Sequence, residues 1–205
     1  MKTLYLYPLW LRAWHWGNAL LILVLMVSGA SMHFAGTPWL LEFKTAVLTH
    51  NTAGILLSLG WIGFVIGNAL TDNQRHYRLE WRGLISRLVA QLHYYGVGIF
   101  RNEPHPFQVS EGMKFNVLQQ LTYIKFMYVI FPLLIVSGWA FLYVVYLPQS
   151  LFGINTTWLV AMMHLTLAYF MVLFLVIHVY IITTGETVVT NLRAMLSGWH
   201  REREH

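Results

Sequence analysis

Four of the ten histidines in this 205-residue chain lie inside or at the edges of long apolar runs, namely His15, His50, His164 and His178. Ionisable side chains in such runs are costly and are therefore candidates for function. His164 and His178 are fourteen residues apart, so on an α-helix they share nearly the same face, about 21 Å apart along the axis. Two neutral imidazoles hold a haem iron six-coordinate in both oxidation states. The pattern predicts two haems stacked across a membrane, with these four histidines as axial ligands.

The elements that must position these histidines are four apolar stretches, at about 13–34, 45–70, 121–146 and 156–183. Each reaches the length of about 20 residues that a membrane-spanning helix needs. Only 10% of the residues are charged and 57% are hydrophobic, whereas about a quarter of a soluble domain is charged. The sequence predicts an all-α, polytopic membrane protein, with four transmembrane helices bundled in a single domain over residues 1–205. Pro132 lies inside the third stretch, where it can kink the helix.

Charge distribution predicts how the four helices cross the membrane. The short connections 35–44 and 147–155 contain one basic residue, Lys44, whereas residues 71–120 and the two tails carry most of the Lys and Arg. Basic residues accumulate on the cytoplasmic side, so both termini and the long connection are expected there, in the bacterial inner membrane. This topology pairs His15 with His178 near the inner surface and His50 with His164 near the outer surface.

The long connection contains a second kind of helix. Its segment 80–99 places Leu84, Leu88, Val89 and Leu92 at helical spacing, with arginines among them. This pattern predicts a short amphipathic helix lying on the inner membrane surface. The net charge of +5 fits cytoplasmic loops of a membrane protein, so no nucleic-acid partner is expected.

Several alternatives follow from the same residues. The chain has no cysteine, which excludes an iron–sulfur cluster on its own ligands and c-type haem attachment, and leaves haem b. A histidine can also be a hydrogen-bonded core residue or a proton relay, although a relay would more naturally use carboxylates, which the apolar stretches almost lack.

Small residues such as Ser28, Gly29, Ser137 and Gly138 suit close approach of helices or of a porphyrin. No catalytic residues are predicted, and a haem-free membrane anchor or transporter remains an alternative.

At this point the chain resembles a known family, the bacterial di-haem cytochrome b subunits of membrane formate dehydrogenases, nickel–iron hydrogenases and thiosulfate or polysulfide reductases. Four spans, a histidine at the start of the first and second, and the His164–His178 pair on the fourth carry the resemblance. The segments 94–107 and 183–199 are most similar to the thiosulfate-reductase and hydrogenase types. The segment KFNVLQ, residues 114–119, is similar to the KYNxxQ motif of the formate dehydrogenase subunits, with Phe115 in place of the Tyr.

The resemblance implies a function and further site residues. Asn116 and Gln119 match the motif residues that lie at a quinone pocket beside the cytoplasmic haem. The chain is then expected to pass electrons between a quinone, menaquinone or ubiquinone, and an iron–sulfur or multihaem partner subunit of a respiratory oxidoreductase. Arg12 and Arg193, near the inner surface, can pair haem propionates, or can simply reflect the positive-inside rule. A stand-alone cytochrome b that oxidises superoxide with quinone as acceptor is the other haem-based alternative.

Overall fold

The computed structural model describes residues 2–38, 40–185 and 187–202. Its α-helices are α1 (Leu9–His33), α2 (Phe43–Leu70), α3 (Leu84–Gly96), α4 (Val117–Lys125), α5 (Phe131–Leu142), α6 (Thr156–Ile182) and α7 (Thr190–Ser197). Its strands are β1 (Lys2–Tyr5), β2 (Ser150–Leu151), β3 (Ile154–Asn155) and β4 (Trp199–Glu202). The protein is therefore mainly helical, as predicted.

Four helical segments are long and apolar enough to cross a membrane within the described residues: α1, α2, the segment Val117–Leu142 that contains α4 and α5, and α6. The shortest has 25 residues, about 37 Å of α-helix, which exceeds a hydrocarbon core of about 30 Å. Only 11% of the apolar window of α1 and of α6 is buried, so most of their side chains are left for lipid. The four predicted spans are confirmed, with the first and third beginning four residues earlier than expected.

The third span is irregular around Pro132. It begins as α4, passes through a π-helical turn at Phe126–Ile130 and continues as α5, whose first turn contains the proline. Proline lacks the N–H that would bond to the preceding turn, and its ring crowds the carbonyl there. A wider π-helical turn relieves this crowding. The irregularity expected at Pro132 therefore occurs just before it.

The connection between α2 and α4 is ordered by short helices. A 3₁₀ helix, Asp72–Tyr77, follows α2, with Thr71 as its N-cap. Helix α3 then runs from Leu84 to Gly96, shorter than the predicted 80–99 because Gly83 before it adopts a left-handed conformation with φ of 67°. Gln91 of α3 is buried, whereas Ile85 is 77% exposed. The predicted amphipathic helix is thus present, and its position on the inner membrane surface stays a prediction.

The two ends of the chain form a small sheet that the sequence did not predict. Strand β1 pairs antiparallel with β4, and the carbonyl of Gly198 accepts hydrogen bonds from the backbone N–H groups of Leu6 and Tyr7. Gly198 has φ of +90°, and a Cβ there would lie 2.8 Å from the Tyr7 carbonyl oxygen, so only glycine fits. This sheet fixes Tyr7 and the start of α1.

The chain divides into two compact units. The first comprises Met1–Arg12, Gly67–Val129 and Ile177–His205, and the second comprises Ala13–Ile66 and Ile130–Val176. Tryptophan side chains link the helices of the second unit. Trp14 stacks on Phe64 with ring centres 4.4 Å apart and donates its indole N–H to the carbonyl of Gly60. Trp139 donates to the Ser58 hydroxyl, which joins α5 to α2.

Candidate functional site

His50 and His164 face each other inside the second unit. His50 lies in the third turn of α2 and His164 in the third turn of α6. Their ring centres are 6.2 Å apart, with the ring planes inclined by 73°. Phe141 of α5 approaches the His164 ring edge-on at 5.9 Å. The two histidines that topology assigns to one pair are therefore neighbours.

A buried serine hydroxyl holds each of these imidazoles. Ser28 Oγ lies 3.0 Å from Nδ1 of His50, and Ser137 Oγ lies 2.8 Å from Nδ1 of His164. Each hydroxyl also donates its one proton to a main-chain carbonyl of the preceding turn in its own helix. The serine oxygen must then accept a hydrogen bond from the imidazole Nδ1–H. This tautomer leaves the lone pair of Nε2 on both histidines for a metal ion.

A glycine follows each serine and lies directly against the imidazole. A Cβ on Gly29 would lie 3.4 Å from Cε1 of His50, and a Cβ on Gly138 would lie 3.4 Å from Cε1 of His164. The same pair of residue types therefore supports both rings, from α1 on one side and from α5 on the other. The sequence shows this repetition as Val-Ser-Gly at 27–29 and 136–138, a signal that the sequence analysis noted only as small residues.

The spacing of the two rings fits axial ligation of one metal ion. With metal–nitrogen bonds of about 2 Å, and about 1.2 Å from each nitrogen to its ring centre, two imidazoles on opposite sides of an ion have centres about 6.4 Å apart. The observed distance is 6.2 Å. Among the described residues no group of three or more His, Cys, Asp or Glu could hold a metal ion. Two ligands alone suit a metal that brings its own equatorial donors, as haem iron does.

His15 and His178 belong to different units. His178 lies in α6, in the first unit, where the Tyr123 ring meets it edge-on with centres 6.2 Å apart. His15 lies in α1, in the second unit, with Trp16 edge-on at 5.1 Å. Both are half-buried. Their pairing around a second haem stays a prediction from the sequence.

Asn116 and Gln119 come together at the start of α4, where they cap the helix. Asn116 Oδ1 accepts from the backbone N–H of Gln119, and Gln119 Oε1 accepts from the backbone N–H of Asn116. Asn116 also donates its amide N–H to the hydroxyl of Tyr95, at 3.0 Å. These contacts satisfy backbone donors that a helix start leaves unpaired. Within the described residues, the amide nitrogen of Gln119 has no such partner and remains the group of this pair available to a ligand.

The two arginines proposed for propionates lie in the first unit. The Arg12 guanidinium donates to the carbonyl of Leu196 in the last turn of α7, a favourable place for a cation. Its Nε is buried and has no hydrogen-bond partner among the described residues, so it can still serve an anion. Arg193 lies inside α7. Both assignments stay predictions.

Sequence analysis missed a chain of hydrogen-bonded polar side chains in the first unit, of which Lys114, Asn73 and Asn68 are buried. Lys114 Nζ donates to Asn73 Oδ1 at 2.9 Å, Asn73 donates to Asn68 Oδ1 at 2.9 Å, and Asn68 donates to the Tyr128 hydroxyl. Lys114 was counted only as a positive loop charge, although it opens the KFNVLQ segment. Burial separates it from the surface arginines of the same connection, and sequence spacing does not reveal burial in a loop.

The sequence matches a known protein family along most of its length. The sequence profile of the prokaryotic cytochrome b561 family matches residues 6–198. The chain is also 38% identical over 202 residues to a protein of Escherichia coli (strain K12) that bears the name "Putative cytochrome YdhU", covering 98% of this chain and 76% of that protein. The family match includes all four membrane-crossing helices and all four candidate histidines. The chain therefore belongs to the prokaryotic cytochrome b561 family, as a multi-pass protein of the bacterial inner membrane that binds haem b and transfers electrons across the bilayer.

Proposed function

We propose that the chain is the di-haem membrane subunit of a respiratory oxidoreductase. In this proposal His50 and His164 are the axial ligands of one haem b, and His15 and His178 are those of the other. The observation that carries it is the 6.2 Å separation of the His50 and His164 rings, which matches two imidazoles on one iron. The serine contacts that leave both Nε2 lone pairs available support the same assignment.

The haem-bound chain would act as an electron conductor. A bound haem supplies reversible one-electron chemistry, and two axial imidazoles leave no open position for oxygen. The protein's part is to fix the imidazoles through Ser28 and Ser137 and to exclude water with apolar helices. Fixed ligands keep reorganisation small when the charge on the iron changes.

The electrons are proposed to pass between a quinone in the membrane and a partner subunit that carries iron–sulfur clusters or several haems. Contacts in the first unit support a quinone site there, because the Tyr123 ring meets the His178 ring and the ring of Phe115, the residue between Lys114 and Asn116, packs against Tyr123. The polar side chains of Lys114, which donates to Asn73, and of Asn116, which donates to Tyr95, belong to the same unit as His178. The partner is proposed from the resemblance to subunits of formate dehydrogenases, hydrogenases and thiosulfate reductases.

Reoxidation of the haems by quinone tests this function. Purified protein is reduced with a stoichiometric amount of dithionite under argon, and a short-tailed naphthoquinone or benzoquinone is then added while the haem absorption bands are followed. We expect reoxidation on a millisecond-to-second scale that saturates with quinone concentration. A reoxidation rate that rises linearly with quinone concentration, and equals the rate of an unrelated membrane cytochrome under the same conditions, would contradict a quinone site.

The serine contacts give a second prediction, on haem potential. Ser28→Ala and Ser137→Ala are each expected to raise the midpoint potential of one and the same haem, because a hydrogen-bonded imidazole is a stronger donor to oxidised iron. A hydrogen bond of about 1 kcal/mol corresponds to roughly 40 mV for one electron. Spectroscopic redox titration measures the shift.

Ser31→Ala is the matched control for these variants. Ser31 is equally buried on α1, but its hydroxyl bonds only main-chain groups, the carbonyl of Val27 and the N–H of Leu41. Its replacement should leave both potentials unchanged. Equal shifts in all three variants, or shifts in two different haems, would argue against the assigned contacts.

A further inference from the structure

Lys114 is a buried cation with few partners. Lys114 is only 8% exposed, and its ammonium group donates to Asn73 Oδ1 at 2.9 Å. The ammonium also lies 5.6 Å from the centre of the Tyr7 ring, a cation–π contact. In the part of the chain that the structure describes, Lys114 forms no ion pair with a carboxylate. A buried charge without a counter-ion is costly, which makes this one a candidate for ligand binding.

The hydrogen-bond chain orients this ammonium. An ammonium group has three N–H donors, and the described residues supply one oxygen acceptor, from Asn73. That acceptor is itself held, because Asn73 donates to Asn68 Oδ1 and Asn68 donates to Tyr128. Two N–H donors of Lys114 therefore have no oxygen acceptor among the described residues and remain for an oxygen atom of a ligand.

The charges around Lys114 favour a ligand oxygen that carries negative charge. Burial, together with the positive charge of Arg75, lowers the pKa of Lys114 to about 8. Burial and the nearby Lys114 and Arg75 lower the pKa of His76 to about 4, so His76 is neutral. Burial raises the pKa of Tyr7 to about 12, so Tyr7 is neutral as well. No anion among these groups offsets the cation.

Aromatic contacts connect Lys114 to the surroundings of His178. Its neighbour Phe115 packs against Tyr123 with ring centres 4.8 Å apart, and Tyr123 meets the His178 ring at 6.2 Å. Flat rings of this kind suit stacking on another ring. Capping of α4 engages the side-chain oxygens of Asn116 and Gln119, and Asn116 donates an amide N–H to Tyr95. The ammonium of Lys114 is a stronger donor than the amide N–H groups of Gln119 that remain, because it carries a charge.

We propose that the Lys114 ammonium binds one oxygen atom of the quinone head group, with Asn73 and Asn68 as positioning residues. This inference rests on the proposed quinone exchange and names the residue that recognises the quinone. A neutral quinone oxygen accepts a hydrogen bond from the ammonium, and negative charge that develops on that oxygen during reduction is stabilised by it. The donor for a quinone carbonyl is then a lysine, where the family resemblance points to amide side chains.

The test compares Lys114→Gln with Lys114→Arg and with the control Lys44→Gln. Lys44 is exposed at the start of α2 and belongs to the other unit. Each variant is reduced with dithionite and reoxidised with a short-tailed naphthoquinone over a range of concentrations. We expect Lys114→Gln to raise the half-saturating concentration about 10- to 100-fold, the usual effect of losing a hydrogen bond from a charged donor. Lys114→Arg should be affected less, and Lys44→Gln should behave as the wild type.

A second variant, Asn73→Asp, tests the same inference independently in case Lys114→Gln does not fold. Asn73→Asp keeps the lysine but gives it a competing carboxylate, so it should also raise the half-saturating concentration. Haem content per chain and both midpoint potentials should be unchanged in all variants. The advantage of the wild type over Lys114→Gln should shrink as the pH rises through about 8, because the ammonium then loses its proton; Tyr7 and His76 do not titrate there.

The outcomes separate this inference from the proposed function. If wild-type haems are not reoxidised by quinone, the proposed function fails regardless of Lys114. If they are reoxidised, and Lys114→Gln and Asn73→Asp match the wild type, the function stands and the role of Lys114 is wrong. If Lys114→Gln shifts one haem potential while the half-saturating concentration is unchanged, the ammonium serves a haem carboxylate, and the inference is overturned.

Discussion

Replacing either His50 or His164 by alanine is expected to remove one and the same haem, and replacing both should remove no further haem. The two rings lie 6.2 Å apart, the distance expected for imidazoles on opposite sides of one iron. Loss of either ligand leaves a five-coordinate haem held by one helix, which should not survive purification. By contrast, the double variant His50→Ala/His178→Ala should lose both haems, since its two positions belong to different pairs. Pyridine haemochrome assays of each variant, normalised to protein, count the haems.

The matched control for these variants is His33→Ala. His33 lies at the end of α1, is exposed, and contacts the neighbouring Phe34 ring, so its loss should leave both haems in place. If His50→Ala/His164→Ala lacks both haems while each single variant retains one, the two residues ligate different haems, and the pairing is wrong.

Substitution of Gly138 by leucine is expected to remove the same haem without touching a ligand. A Cβ at Gly138 would lie 3.4 Å from Cε1 of His164, which is an ordinary contact, so Gly138→Ala should be tolerated. The further carbons of leucine would need the space of the imidazole, and interiors have little room to yield. The ring must turn, which breaks its hydrogen bond to Ser137 and withdraws Nε2 from the iron. Haem content again reports the loss.

Gly63→Leu controls for the effect of a larger side chain in a membrane helix. Gly63 is exposed on α2, and no atom lies within 4 Å of a Cβ built there. This variant should keep the wild-type haem content. Wild-type haem content in Gly138→Leu would show that the glycine does not support the His164 ring, and the proposed role of the Val-Ser-Gly segments would then be wrong.

The four spans and the His50–His164 pair could be predicted because both follow from length and spacing. Lipid demands a fixed number of apolar residues per helix, and alternation of direction from one span to the next decides which histidines share a leaflet. Neither argument needs the rotation of a helix about its axis. The facing arrangement of His50 and His164 therefore agrees with an inference made from topology alone.

The contacts of the histidines could not be predicted because they depend on helix rotation. Ser28 and Ser137 were noted only as small residues, and nothing in the sequence says that their hydroxyls meet His50 and His164. The pairing of β1 with β4 joins segments at opposite ends of the chain, and the local sequence of a segment does not show which distant segment it pairs with.

Asn116 and Gln119 show how one pattern can carry two meanings. An Asn followed three residues later by a Gln, just before an apolar helix, is a capping-box signal, and the structure has that capping box at α4. The family resemblance assigns the same two residues to a quinone pocket. The two roles share the same amide groups, and the amide nitrogen of Gln119 is the atom that capping leaves for the second role.

The most direct test of the central proposal is the number of haems in the wild-type protein. A pyridine haemochrome assay, calibrated against protein concentration from amino-acid analysis, gives the ratio of haem b to chain after purification in mild detergent. We expect two haems b per chain, both low-spin in the reduced-minus-oxidised spectrum. A ratio of one would contradict the second histidine pair and with it a relay across the membrane.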